Sequence, residues 1–312
     1  MKASWGGVST PAYRGKSVSL RWRCLVALAG AWALLMGATA HAQWSKAHVR
    51  ASADLAWDDN VTRSGRDEAL SDFFARLNVG AGMPVELTQH SRLLLDVGVG
   101  GYVFDRYSGL NRTTADFQAE LQYRSSGQYT TPIYGLYLRQ AVDWYNSDLR
   151  DGYRTSVGVS VRKPVTDRIV LFGAVGYNWR NAESTVFDTR EVSVRGNLDY
   201  ALARRHTLYL GLEYRDGDVQ TTTPREPALA SIMITSVPDD VFTNPARQSY
   251  RFKARTGVLT LGYNFALFDN QGLDLSYRTV YSRPKDQPPD SVSTESIFYV
   301  DHQIVLSYLI RF

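Results

Sequence analysis

Ile297-Phe298-Tyr299-Val300-Asp301-His302-Gln303-Ile304-Val305-Leu306-Ser307-Tyr308-Leu309-Ile310-Arg311-Phe312 ends the chain, and its reading decides the fold. One face carries Phe298, Val300, Ile304, Leu306, Tyr308, Ile310 and Phe312. The other carries Tyr299, Asp301, Gln303, Ser307 and Arg311, with Val305 and Leu309 as apolar exceptions. Period-two alternation of this kind marks a strand with two unlike sides. It could be an ordinary amphipathic edge strand. A free edge this apolar would template aggregation, however, so the segment asks for a neighbour on both sides.

Working back from this strand, the same alternation recurs over 47–57, 71–86, 91–105, 114–124, 132–145, 153–163, 168–179, 189–202, 206–216, 249–267 and 272–282. A tilted transmembrane strand needs about nine to eleven residues, and these segments supply them. The breaks at 87–90, 125–131, 164–167, 203–205 and 268–271 are short, as periplasmic turns are. Those at 58–70, 106–113, 146–152, 180–188, 217–248 and 283–296 are longer or more polar, as extracellular loops are. The expected fold is all-β, a transmembrane antiparallel barrel of 12 strands, with 10 or 14 open because 217–248 could hide a hairpin. An even count puts both termini on the periplasmic side. Hydrocarbon offers no partner to an unpaired strand edge, so a sheet in a membrane has to close.

The two faces differ in charge. Rows such as Val49, Ala51, Ala53, Leu55 and Trp57, or Leu208, Leu210, Leu212 and Tyr214, carry none. A lipid face demands this, since a midplane Arg or Lys costs about 2–4 kcal/mol. Trp57, Tyr123, Trp144, Tyr153, Trp179, Tyr200, Tyr214, Tyr281 and Tyr308 gather towards strand ends, where interfacial girdles form. The opposite rows supply candidate lumen-lining residues. The basic ones are Arg50, Arg76, Arg92, Arg139, Arg154, Arg162, Arg195, Arg215 and Arg278, with Arg124, Arg168 and Arg311. The acidic ones are Asp54, Asp96, Asp116, Glu120, Asp143, Asp199, Glu213, Asp274 and Asp301, with Glu191. Unpaired ions do not bury cheaply, so the lumen is either hydrated or laced with Arg–carboxylate pairs. Strand 249–267 sets Arg251, Lys253 and Arg255 in the same row as Leu259 and Tyr263. Either a bulge near Gly257 flips the register, or these cations face outward above the membrane. In the second case they are candidates for contact with lipopolysaccharide phosphates; a solvated rim strand is the plainer alternative.

Residues 1–42 read as a signal peptide and 43–312 as the barrel. Lys2, Arg14, Lys16, Arg21 and Arg23 precede the thirteen-residue apolar run Cys24–Met36, and small residues follow up to Ala42. An uncleaved inner-membrane anchor is the competing reading. Cleavage after Ala42 removes the sole cysteine, and with it disulfides and thiol ligands. It also removes five of the 35 basic residues and none of the 31 acidic ones. The near-neutral remainder leaves a nucleic-acid partner without its main support.

Candidate sites outside the wall are few. Loop 217–248, with Pro224, Pro227, Ile232, Met233, Ile234, Asp239 and Asp240, is either a lid or inward constriction, or a mobile surface loop. Asp58, Asp59 and Asn60 offer oxygen ligands that would suit calcium, but a polar loop accounts for them as well. His48, His90, His206 and His302 lack zinc-ligand spacing and are read as structural. No metal, cofactor or catalytic motif is assigned. An outer-membrane lipid hydrolase would need a serine near His302 on the lipid face; Ser282, Ser291 and Ser293 are the candidates. Only Gln43–Lys46 lie between the leader and the first strand, which leaves no room for a plug or peptidoglycan-binding domain.

Two segments carry a family resemblance. Ala56-Trp57-Asp58-Asp59-Asn60-Val61-Thr62-Arg63, with Ser71-Asp72-Phe73, resembles the opening of the β-barrel porin families of proteobacterial outer membranes. It is also similar to the barrel part of surface lipoprotein assembly modifiers. The close, Tyr299–Phe312, resembles the terminal strand of outer-membrane barrels. That resemblance implies an assembly signal at Tyr308, Ile310 and Phe312, read by the barrel assembly machinery. Some such porins are similar to exopolysaccharide export components, which implies polysaccharide export partners. The helical-repeat domain of the lipoprotein modifiers is absent. The expected function is a porin-like channel for hydrophilic solutes or a secreted polymer. The alternatives are a lipid hydrolase, or a structural or lipopolysaccharide-binding barrel of a secretion system.

Overall fold

A computed structural model describes residues 47–244, 246–287 and 298–312. The proposed leader, Ser291 and Ser293 lie outside these residues. Thirteen strands run in chain order: β1 (His48–Asp58), β2 (Asp72–Glu86), β3 (Ser91–Phe104), β4 (Arg112–Arg124), β5 (Ile133–Tyr145), β6 (Gly152–Pro164) and β7 (Ile169–Ala182). They continue as β8 (Thr189–Ala203), β9 (His206–Thr223), β10 (Thr235–Thr243), β11 (Ala246–Phe268), β12 (Gln271–Pro284) and β13 (Tyr299–Arg311). Each pairs antiparallel with its neighbour, except that β9 bypasses β10 to pair with β11 over Gln248↔Thr223 to Phe265↔His206. The last strand pairs with the first over Arg50↔Arg311 to Asp58↔Gln303. The wall is therefore a closed ring of 12 strands with β10 outside it. Among the described residues no helix is long and apolar enough to cross a membrane; any crossing is by strands.

Alternation puts water-loving and oil-loving side chains on opposite faces of this wall. In β1, Asp54 is 3% exposed while its neighbour Leu55 is 64% exposed. Leu77, Val99, Val159, Leu212 and Leu275 are likewise exposed. An apolar belt of this kind is far larger than a water-soluble monomer shows, and it suits a lipid surroundings. Phe312 belongs to that outer face. Its backbone N–H donates to Val49 O at 2.8 Å, while its ring is 71% exposed.

Inward glycines let large side chains lie along the wall. Tyr137 stretches over Gly158 and Gly176, where an added methyl group would sit 2.5 and 2.4 Å from its hydroxyl. Tyr209 lies over Gly262 in the same way and donates to Asp274 Oδ1 at 2.9 Å.

The stretch 217–248 is not a loop. β9 and β11 run on as a tall paired ribbon, a six-residue helix (Pro227–Ile232) follows β9, and β10 pairs with the upper end of β11 over Thr235↔Arg251 to Pro238↔Gln248. Leu229, Tyr250 and Phe252 form a small apolar core there with Ala228 and Ala254. Ile232 packs against this core, while Met233 and Ile234 stay exposed. Of the two alternatives for strand 249–267, the bulge near Gly257 is absent: the β9–β11 register runs unbroken through it. Arg251, Lys253 and Arg255 therefore share the outward face, next to carboxylates. Lys253 Nζ is 2.8 Å from Asp218, Arg255 Nε is 3.9 Å from Asp216 and Arg251 Nη1 is 4.0 Å from Asp188.

Candidate functional site

At the long-loop end, two segments cross the mouth of the barrel. The first is the β1–β2 connection. Asn60 anchors it by donating to Ser64 O and Val300 O and by accepting from Thr62 and the Ser64 N–H. Arg63 closes the resulting turn in the left-handed region at φ 53°. The loop then meets the β9–β11 ribbon: Thr222 N–H donates to Thr62 O, and Arg247 bonds Glu68. Asn60, Thr62 and Ser64 are each at most 3% exposed, so this is a built knot rather than the plain polar loop expected there. Asp72 fixes the neighbouring loop by accepting from the Arg106 and Tyr107 N–H groups.

The second segment is β10. It springs from the β9–β11 seam, yet Phe242 packs on Tyr107 with ring centroids 4.8 Å apart. Tyr107 belongs to the β3–β4 loop, which stands opposite that seam, six strands away in either direction round the ring. On the way, Asp239 and Asp240 meet Arg150 of the β5–β6 loop at 2.5 and 3.0 Å. Burial works against the Asp239 charge, but Arg150, the Ser249 hydroxyl and the Val241 N–H outweigh it and hold the carboxyl below its usual range. Arg63 leans over the chamber from the β1–β2 turn, and its side chain remains exposed. Its desolvation is outweighed by Tyr299, Asp301 and Asp58, which raise its pKa further.

Beneath this roof lies a chamber of about 440 Å³. Its lining includes Arg63, Arg112, Arg139, Arg154, Arg180, Arg195, Arg215 and Arg278, against Glu191, Glu213 and Asp218. Each of these carboxylates already has a cation. Glu213 takes a fork from Arg215 at 2.9 Å, Glu191 lies 4.0 Å from the same guanidinium, and Asp218 pairs with Lys253. Arg154 is held by Asp143 through bonds of 2.7 and 3.0 Å. Arg112, Arg139, Arg180, Arg195 and Arg278 are held mainly by groups other than carboxylates. They bond or stack on Tyr145, Tyr137, the Arg150 carbonyl, Phe172 and Gln303 instead. The Nε atoms of Arg112, Arg139 and Arg180 are buried with no acceptor.

A second chamber of about 590 Å³ lies at the short-turn end, lined by Arg50, Arg76, Asn78, Asp116, Asn264, Asn270 and Arg311. Arg76 pairs with Asp54 directly opposite it in the register, and Arg50 pairs with Asp96 across the intervening strand. Among the other candidate lumen residues, Glu120 and Arg92 both bond Gln122, and Asp274 takes the Tyr209 hydroxyl. Asp199 and Arg162 lie towards the turn end and line neither chamber. Arg63, Arg112, Arg180 and Arg150 were not among the expected site residues, whereas Asp239 belongs to the stretch read as a lid, an inward constriction or a surface loop. Strand parity continued to Arg112 and Arg180 would have found those two.

Asp58, Asp59 and Asp301 have oxygens within 4.8 Å of one another. Asp58 and Asp59 are occupied by protein donors: Asp58 accepts from Asn60 N–H and Gln303, and Asp59 from His302 N–H. The nearby Arg63 charge further weakens the case for calcium. The pairing of Ser282 with His302 does not form. Ser282 is buried on the inward face beside Thr256, whereas His302 sits outward with Nδ1 2.7 Å from the Tyr277 hydroxyl.

The sequence matches no protein-family model and no curated protein. Its fold is similar to the COG4313 outer membrane channel from Pseudomonas putida F1, with a TM-score of 0.53 and 11% identity over 88% of this chain and 98% of that one. Two looser likenesses are to the KdgM porin in complex with disordered oligogalacturonate and to the NanC porin. Both have TM-scores of 0.44, at 11% and 10% identity, over 84% and 83% of this chain and 98% of each of those. The first likeness supports the closed barrel as a fold; the other two are too distant to add to it.

Proposed function

We propose that the protein is an outer-membrane channel for hydrophilic solutes, exported by a leader cleaved after Ala42, with its loop end outside the cell. The carrying observation is the inverted wall, with residues like Leu55 exposed outward and a charged, chambered interior in place of an apolar core. Such a wall is at home only where oil surrounds it and water fills it. A bore of this strand number holds side chains and water together.

The roof makes the channel gated. Cargo coming from the turn end meets the arginine chamber before it meets Arg150, Asp239 and the β1–β2 knot. That order favours controlled outward passage, such as a secreted polysaccharide chain, over free diffusion. Planar-bilayer recording of refolded 43–312 tests the reading. Small, intermittent conductance is expected from the intact protein, and larger, steadier conductance from Asp239→Ala. A folded barrel that conducts in neither form would overturn it.

A further inference from the structure

We infer that the roofed chamber is a binding site for a ligand carrying several oxyanion groups, carboxylate or phosphate. This rests on the channel reading only in that the ligand would be the cargo; binding itself does not require passage.

The inference comes from where the charges are left over. The three carboxylates of the lining are engaged by Arg215 and Lys253, and Arg154 is engaged by Asp143. Arg112, Arg139, Arg180, Arg195 and Arg278 face the same cavity without a direct ion pair among the described residues, and the few carboxylates near them, Asp143, Glu120, Glu213 and Asp301, are outnumbered by arginines. Like charges gathered in one water-filled chamber repel one another, so their concentration here asks for a ligand of opposite charge. The guanidinium fork matches a planar carboxylate or a phosphate better than an ammonium does, and no lysine lines the chamber.

The arginines are also held in place before any ligand arrives. Arg112 lies between two phenol rings, 3.9 Å from the Tyr102 centroid and 5.3 Å from that of Tyr145. Arg180 lies 5.4 Å from the Tyr145 ring, and Arg139 and Arg195 flank Tyr137 at 5.0 and 5.8 Å. These ring contacts hold the guanidinium groups against the wall; the Nε atoms of Arg112, Arg139 and Arg180 are themselves buried, so a ligand would be met by the terminal Nη groups. A volume of 440 Å³ is the size of ordinary small-molecule pockets, so it holds a compact polyanion or one segment of a longer chain.

Isothermal titration of the refolded mature protein in detergent micelles tests this without reference to conduction. Citrate and tripolyphosphate are the probes, with maltotriose as the neutral control. Saturable binding of at least one anion is expected, with no heat from maltotriose. Preference between citrate and tripolyphosphate separates a carboxylate ligand from a phosphate one. Arg139→Gln and Arg180→Gln, each checked for the heat-shifted gel mobility of a folded barrel, are expected to weaken binding tenfold or more. Arg162→Gln, outside the chamber, should leave it within twofold. Binding that is absent, or unchanged in both chamber variants, overturns the inference. Anion binding without any conductance would instead overturn the channel reading and leave this one standing.

Discussion

Arg150 Nη2 meets Asp239 Oδ2 at 2.5 Å across the mouth of the barrel, with neither side chain more than 6% exposed. The two come from the β5–β6 loop and from β10, which share no strand pairing. Removing one partner of such a buried pair leaves an uncompensated ion, at a cost of about 3–5 kcal/mol. Arg150→Ala is therefore expected to free β10 from the mouth while the wall, held by its own ladder, stays closed. Limited proteolysis should then cut near 235–243, with the barrel still migrating as folded. A cut pattern identical to that of the unaltered protein would count against the roof.

The same pair sets an acid response. The Asp239 carboxyl is held below its unfolded value, so its contribution is present above that value, about 3.9, and is lost as pH falls through the folded one. Conductance and protease sensitivity should stay flat from neutral pH down to about 5 and rise only below about 4. Asp239→Asn should remove the part of this acid step that comes from the roof. A step near pH 6 would point to a different group.

Which face meets lipid can be tested with two neighbours in β2. Leu77 is 66% exposed on the outer face, while Asn78 bonds Ser52 on the inner one. Leu77→Arg is expected to lower stability in lipid vesicles by about 2–4 kcal/mol. Asn78→Arg should cost much less and alter ion selectivity instead. Urea unfolding followed by tryptophan fluorescence reads the first effect and reversal potentials the second. Equal costs at the two positions would contradict the assignment of faces.

Phe312 offers a kinetic prediction. Its backbone is paired with Val49, but its ring touches little and is 71% exposed. Phe312→Ala should therefore change equilibrium stability by less than about 1 kcal/mol. If the ring is an assembly signal, the fraction folded in cells should nevertheless fall several-fold, while refolding into vesicles proceeds as before. Equal losses in both settings would make the ring structural.

The strands were legible because a wall between oil and water writes its two faces into alternate residues. That code held wherever lipid presses on the outside, as from Leu208 to Tyr214. It faded at Asp216 and Asp218, where the outward row of β9 carries charge, as it would on a wall that rises above the lipid in the proposed channel. The top of β9 and the whole of β10 were read as loop for this reason, and Arg112 and Arg180 were lost at strand ends cut too short. Arg63 and Arg150 were illegible for another reason. They act through contacts between loops, which leave no period in the sequence. The motif Asp58–Arg63 was visible as a resemblance, but its burial under the roof was not.

Tyr137 lies on ground that is kept level by hydrogen atoms alone, those of Gly158 and Gly176. A single carbon added at Gly176 would lift the phenol off the wall and towards the passage, with Arg139 beside it, and one at Gly158 would also press on the Val175 carbonyl of the next strand. The width of the bore at this height is thus governed from the strands behind the ring, and a substitution that never touches the cargo could still shut the way through.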